Sequence, residues 1–229
     1  MEIIWHDIKD ITSPLIPQAL ELYEQMFTED LREPNEILLK GITDKGPTAP
    51  DAFHLLVGTN ENQQVVAVST FHYLAAWNLG FIVYMMVNPA IQSGGVGSKM
   101  MDKIEKILQE DARKHGVELT GFILETEREE DAHDEEEQIL TQRRLRFFSR
   151  NGLVPVKGVP YKQPPLWENT QEVPLHLLVK WTKETDGFLQ KEWYRFVQDV
   201  YKEKYGKINN VKAEILHKME AELLANLQV

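Results

Sequence analysis

Between residues 52 and 115 the sequence passes through three apolar, strand-like runs and then enters a glycine cluster and a long helical pattern. The runs are AFHLLVG (52–58), VVAVSTFHYLAAW (65–77) and FIVYMMV (81–87), parted by the polar TNENQQ and by Asn78-Leu79-Gly80. Such short partings imply antiparallel hairpins, because parallel neighbours need a crossover of about a dozen residues or more. The chain therefore builds a three-strand meander and leaves it through VNPAIQSGGVGSKMM, residues 87 to 101. From Gly97 to about His115, Met100, Met101, Ile104, Ile107 and Leu108 recur at helical spacing.

The flanks complete an α/β pattern. EIIWHDI (2–8) reads as a first strand. Ser13-Pro14 offers a helix start, with Leu15, Ala19, Leu22, Tyr23, Met26 and Phe27 at helical spacing behind it. A shorter helix is expected over 34–42. ELTGFILETE (118–127) is a buried strand with an acidic end, and Asp134 with Glu137 fits a capping box for a helix closed by Asn151-Gly152. LVPVKGV (153–159) and LHLLVKW (175–181) are expected as the last strands. From Asp186 the texture is helical only, with stripes at Trp193, Phe196, Val197, Val200 and Tyr201 and at Val211, Ile215, Met219, Leu223 and Leu227. The expected fold is a mixed, mostly antiparallel central sheet flanked by helices, with a C-terminal helical hairpin.

Glycines between a strand and a helix N-terminus let backbone amides and the helix dipole meet an anion. A nucleotide P-loop needs Gly-Lys-Ser/Thr, and the order here is Gly97-Ser98-Lys99. The dinucleotide fingerprint needs a third glycine where Met100 stands, within a parallel βαβ unit. Gln92-x-x-Gly95-x-Gly97, following Val87-Asn88-Pro89, resembles instead the acyl-CoA pyrophosphate loop of the GCN5-related N-acetyltransferase family. The order of elements resembles that family over residues 1–182.

The resemblance implies an N-acetyltransferase domain over 1–183, a helical extension over 184–229, and acetyl-CoA as co-substrate. The backbone of Met85, Met86 and Val87 would hold the pantetheine arm and the thioester carbonyl, one N–H acting as oxyanion donor. Gln92, Ser93, Gly94, Gly95, Val96, Gly97 and Ser98 would form the pyrophosphate loop. In one branch of the family a glutamate on the strand after the loop-helix is the general base. Leu124-Glu125-Thr126-Glu127 matches it, which makes Glu125 the candidate and Glu127, on the same face, its possible substitute. The family's proton donor is a tyrosine in the next helix, and here that position is Phe148. Ser149 is about 100° around the helix from it. Tyr161 is therefore the candidate catalytic acid, with Tyr84 and unassisted thiolate departure as alternatives.

Composition narrows the rest. The formal charge of −11 argues against a nucleic-acid partner, which would need clustered Lys and Arg. No apolar run approaches membrane length, no signal peptide is evident, and with no cysteine there is neither a disulfide nor a thiolate metal site. The histidines show no ligand spacing, so no metal is expected, and a cytoplasmic location is the default. EREEDAHDEEE (127–137) either attracts a cationic amine or is a solvated, dipole-matched helix start. Arg143, Arg144 and Arg146 would suit those acids or a CoA phosphate. The helical stripes must bury against the domain or against a second copy, giving a possible homodimer through the C-terminal helices. Two readings follow: transfer of acetyl to a primary amine of a small cationic molecule or peptide, a protein N-terminus included, or a non-catalytic acyl-CoA-binding module.

Overall fold

The computed structural model describes residues 2–28, 31–43, 47–49, 51–91, 94–168 and 170–226. It divides into two compact units, Met1–Phe122 and Ile123–Val229. The strands of the main sheet lie in the order β1 (Ile4–Ile8), β2 (Ala52–Thr59), β3 (Val65–Leu74), β4 (Leu79–Val87) in the first unit, and β5 (Gly121–Thr126), β9 (His176–Trp181), β6 (Val154–Pro155) mostly in the second, so the fold is mixed α/β with a mostly antiparallel sheet.

In the first unit, β1 (Ile4–Ile8) pairs antiparallel with β2 (Ala52–Thr59), which pairs with β3 (Val65–Leu74), which pairs with β4 (Leu79–Val87). The expected meander is present. Its first turn is held by Asn60, whose Oδ1 accepts from the Asn62 and Gln64 amides at 3.0 Å each. The second turns at Asn78, which takes the left-handed region (φ 51°) and accepts a hydrogen bond from the Tyr73 hydroxyl at 3.0 Å.

Helix α1 (Ile16–Met26) starts three residues after Ser13, with Pro17 in its first turn. Ser13 makes the preceding turn instead of capping the helix, accepting from the Ile16 amide through its carbonyl at 3.1 Å. Helix α2 spans Asn35–Lys40, shorter than the sequence predicts. One face of the sheet packs Ile8, Leu55, Val57, Val68 and Met86 against Ile16, Leu22, Tyr23 and Leu38. Helix α3 (Val96–Lys114) buries Met100, Met101, Ile104, Ile107 and Leu108, the stripe read from the sequence. Gly80 allows its close approach, since a Cβ there would stand 2.2 Å from a Leu108 methyl.

A row of charged groups in this unit runs from exposed lysines inward to a buried histidine. His54, 4% exposed, has Nδ1 2.8 Å from Asp7 Oδ2 and Nε2 2.7 Å from Asp111 Oδ2. Lys9 and Lys114 flank the two carboxylates at 3.0 and 2.7 Å.

The second unit takes most of β5 (Gly121–Thr126) and then helix α4 (Glu135–Arg150). The expected cap is present, since Asp134 Oδ1 accepts from the Glu137 amide at 2.8 Å, but the return bond differs from a capping box: Glu137 accepts from the His133 amide at 2.7 Å, one residue before the cap. Gly152 (φ 86°) closes the helix as expected. The strand predicted over 153–159 is only β6 (Val154–Pro155), because Pro155 lacks an amide and Gly158 turns left-handed at φ 73°. It pairs antiparallel with β9 (His176–Trp181). Between them, β7 (Lys162–Gln163) and β8 (Val173–Pro174) form a small separate ribbon that sequence periodicity did not reveal.

The tail is helix α5 (Gln190–Val200), a π-helical segment (Tyr201–Ile208) and helix α6 (Ala213–Ala225). Its first stripe is buried within the chain: Trp193, Phe196, Val197, Val200 and Tyr201 are all inaccessible, and Trp193 packs on Trp181 and Phe188. In α6 the buried positions are Leu216, Met219 and Leu223, while Leu227 lies outside the described residues. Among the described residues, no helix is long and apolar enough to cross a membrane.

Candidate active site

One candidate region, in the first unit, is backbone. Thr70 faces Tyr84 and Phe71 faces Ile82, so Val83 is an extra residue in β4. Such a bulge bends and twists its strand, two residues ahead of Met85. In the strand's last stretch Met86 is buried in the core, while Met85 and Val87 are only partly covered. The Asn88 side chain then accepts from the Ala90 amide at 2.9 Å and starts a short 3₁₀ turn, Pro89–Ile91. Gln92 and Ser93 lie outside the described residues.

Gly95 caps α3 in the left-handed conformation, φ 71° and ψ 9°. A side chain at this position would be strained in any residue but glycine. No described side chain caps the helix, and its first turn contains no acid. The Lys99 amide bonds to the Gly95 carbonyl at 3.1 Å. The amides of Val96, Gly97 and Ser98 have no intrahelical acceptor, as at every helix start. A Cβ on Gly95 would meet nothing within 4 Å, so the space against this backbone is open. Bare amides, the positive dipole end and open space fit an anion such as a pyrophosphate.

A separate candidate region lies at the end of β5, within the second unit. Phe122, Ile123 and Leu124 are buried, and Glu125 is half-buried. The Tyr161 hydroxyl donates to Glu125 Oε2 at 2.5 Å. The structure therefore joins the two side chains the sequence nominated for proton transfer. A third was not foreseen: the Tyr205 hydroxyl bridges the same carboxylate, 3.0 Å from Oε1 and 3.2 Å from Oε2. Tyr161, Tyr201 and Tyr205 are 2%, 1% and 0% exposed. Burial, and next the Glu125 charge, hold the Tyr161 phenol well above its usual titration range, so it is a firm donor at neutral pH. The signal for Tyr205 was a hydroxyl-bearing residue four positions beyond Tyr201 on a buried stripe, and stripe periodicity alone reads as packing.

The other tyrosine considered, Tyr84, is engaged in the first unit. Its hydroxyl donates to the Leu31 carbonyl at 3.1 Å and accepts from the Glu33 amide at 3.0 Å. Phe148 is buried beside Phe147, their ring centroids 5.4 Å apart. Glu127 is paired with Arg144. The acidic stretch is engaged locally: Arg128 holds Glu130 and Asp131, Gln142 donates to Glu129 at 2.6 Å, and His176 lies 3.5 Å from Glu130. An open cavity of about 460 Å³ in this unit is lined by Val154, Gly158, Trp181, Phe188 and Trp193 among others, and by no member of the Glu125 cluster. Among the described residues, no three metal-ligating side chains converge.

The model of the acetyltransferase (GNAT) family matches residues 16–135, just over half of the chain. The chain belongs to the GNAT family. A search of curated proteins gave no match. Among solved structures, one described as a GNAT-family acetyltransferase from Bacteroides thetaiotaomicron has a TM-score of 0.67 at 19% identity, covering 91% of this chain and 99% of its own. NAA60 of Arabidopsis thaliana, in complex with a bisubstrate analogue, has a TM-score of 0.54 at 13% identity, covering 79% and 98%. The ribosomal-protein-S18-alanine N-acetyltransferase of Escherichia coli has a TM-score of 0.52 at 11% identity, covering 82% and 99%. At these identities the likenesses establish the GNAT fold, and the chemistry rests on the chain's own residues.

Proposed function

We propose that this GNAT protein transfers an acetyl group from acetyl-CoA to the primary amine of a small cationic molecule or a peptide, with Glu125 as general base. The carrying observation is the Tyr161–Glu125 hydrogen bond at 2.5 Å, which puts an oriented carboxylate and a protonated phenol together at the end of β5. Acetyl-CoA supplies the activated thioester. The Gly94–Ser98 backbone would hold its pyrophosphate, and the Met85–Val87 backbone its pantetheine arm and the carbonyl oxygen.

Glu125 takes one proton from the substrate ammonium, exposing the nitrogen lone pair. The amine then adds to the thioester carbon, forming the C–N bond, its nitrogen releases a further proton to water, and the C–S bond breaks. The departing thiolate takes a proton from Tyr161, which is neutral and regains one from the protonated Glu125 through their hydrogen bond. The compartment assigned is the cytoplasm, and a homodimer through the C-terminal helices is part of the same proposal.

Phe148 favours a second reading, a module that binds acyl-CoA without turnover, because the family's usual acid position has no hydroxyl. One experiment separates them: thiol release from acetyl-CoA against a panel of polyamines, aminoglycosides and short peptides, for the native chain and Glu125→Gln. Release that depends on an amine and collapses in the variant supports the transferase. Acetyl-CoA raising Tm with no thiol released by any amine supports the module.

A further inference from the structure

The geometry points to Tyr205, delivered by the C-terminal extension, as a positioning residue that fixes the Glu125 carboxylate for proton abstraction. This rests on the reading of Glu125 as the base and deepens it, by making the helical tail a working part of the site.

A glutamate side chain turns about three bonds, and one hydrogen bond at one oxygen leaves the carboxylate plane free to rotate. Tyr161 anchors Oε2, and Tyr205 spans both oxygens. Two donors from opposite parts of the chain, 44 positions apart, fix both the place and the plane of the carboxylate. The phenolic oxygens are 3.3 Å apart, so the two hydroxyls meet the carboxylate side by side.

The tail is built to deliver this hydroxyl. Tyr201 donates to the Lys162 carbonyl at 2.7 Å, which ties the π-helical segment to the β7 ribbon beside Tyr161. The Tyr205 ring stands edge-on to Tyr201 at 6.3 Å, and Lys204 Nζ lies 4.2 Å from its centroid. The Tyr205 carbonyl accepts from the Val211 amide at 2.9 Å, so the segment is pinned on its far side as well. π-Helical turns are rare and recur at functional sites, and this one carries Tyr201, Lys204 and Tyr205 together.

The groups facing the cluster are Tyr161 and Lys162 from the loop and ribbon, Tyr201 and Lys204 from the π-segment, and Glu172 and Glu220, whose charges reach Tyr201. None of them changes charge between pH 5 and 8 at its ordinary titration value. All of them remain in Tyr205→Phe, so an acidic limb that moves in that variant reports the carboxylate that lost the hydrogen bond.

The test is Tyr205→Phe, which keeps the ring and removes the hydroxyl. Expected are a fall in kcat of about tenfold to a hundredfold, as for losing one hydrogen bond to a charged group, an unchanged KM for acetyl-CoA, and an acidic limb moved to higher pH. An unchanged kcat and limb in Tyr205→Phe, with Glu125→Gln inactive, overturns the positioning role while leaving the base reading intact. Full activity in Glu125→Gln overturns the base reading itself. A double-mutant cycle of Tyr205→Phe and Glu125→Gln on unfolding stability reads the contact without turnover. Coupling supports the Tyr205–Glu125 bond, and strict additivity overturns it.

Discussion

Arg144 of α4 is paired with Glu127, two residues beyond the carboxylate that receives Tyr161 and Tyr205. The two acids at the end of β5 are thereby distinguished. Glu127 has a cationic partner, whereas Glu125 receives the hydroxyls of two buried tyrosines. Glu125→Gln is expected to lower kcat by about a hundredfold or more, the usual scale of a lost general base. Glu127→Gln should stay within about threefold, since it removes only a partly exposed ion pair. Steady-state rates for both variants on one amine decide it, and the reverse ranking would transfer the base to Glu127.

A second expectation concerns pH and stability, and comes from His54. Burial would push its imidazole down, but the hydrogen bonds it donates to Asp111 and Asp7 outweigh burial and hold it above its ordinary 6.5. Burial would likewise raise Asp7 and Asp111, and the His54 contacts, with the lysines beside them, hold both below 3.8. The stabilisation from a raised histidine is fully present below about pH 6.5 and is lost as pH rises through its folded value. That from the depressed carboxylates is present above about pH 4 and is lost as pH falls through theirs. Tm should therefore peak between those limits and decline on both sides. His54→Leu leaves two carboxylates without their shared partner and is expected to cost about 3 kcal/mol, the scale for breaking a buried pair. Calorimetry across pH checks both, and a native alkaline limb in His54→Leu would remove His54 as its cause.

Much of the site was legible because its parts are local. The meander, the glycine loop and α3 follow from periodicity and turn chemistry over some sixty consecutive positions, and Asp134 with Glu137 marks the α4 cap in the sequence itself. Glu125 followed from the resemblance of Leu124-Glu125-Thr126-Glu127 to the family's strand end, which left Glu127 as its substitute. Tyr205 did not, because its role depends on a contact across 80 positions, and a buried tyrosine on a helical stripe has the same spacing as one that only packs. Two-residue strands such as β7 and β8 carry no period to detect. Ser13 was a good cap by type, yet Pro17, not Pro14, sits in the first helical turn.

The loop gives a third expectation. Gly95→Ala has room for its methyl group but must hold φ at 71°, so the penalty is conformational and not steric. About 1 kcal/mol corresponds to a Tm lowered by about 2–4 °C for a chain of this size. If the loop receives the pyrophosphate, acetyl-CoA affinity should fall by more than stability does, about tenfold by isothermal titration. An affinity equal to that of the native chain would place the anion elsewhere.

Removing residues 184–229 tests what the tail is for. It would delete Trp193, Phe196, Val197, Val200, Leu216, Met219 and Leu223 from the buried set, and with them the bonds from Gln190 to the Gly158 carbonyl and from Tyr201 to the Lys162 carbonyl. Tyr161, now fully covered, would lose its Tyr201 and Tyr205 neighbours, and Glu125 would keep one phenolic donor of two. Burial of this kind contributes about 1.5–3 kcal/mol for each large side chain, against a total stability of about 5–15 kcal/mol for a whole domain. The shortened chain is therefore expected to aggregate or to lose near-ultraviolet dichroism, beyond any change in oligomeric mass. Light scattering coupled to size exclusion reads the mass, and dichroism reads the packing. A soluble, cooperatively folded product with native transferase kinetics would mean that the extension is an appendage and that the Glu125 site is complete without it.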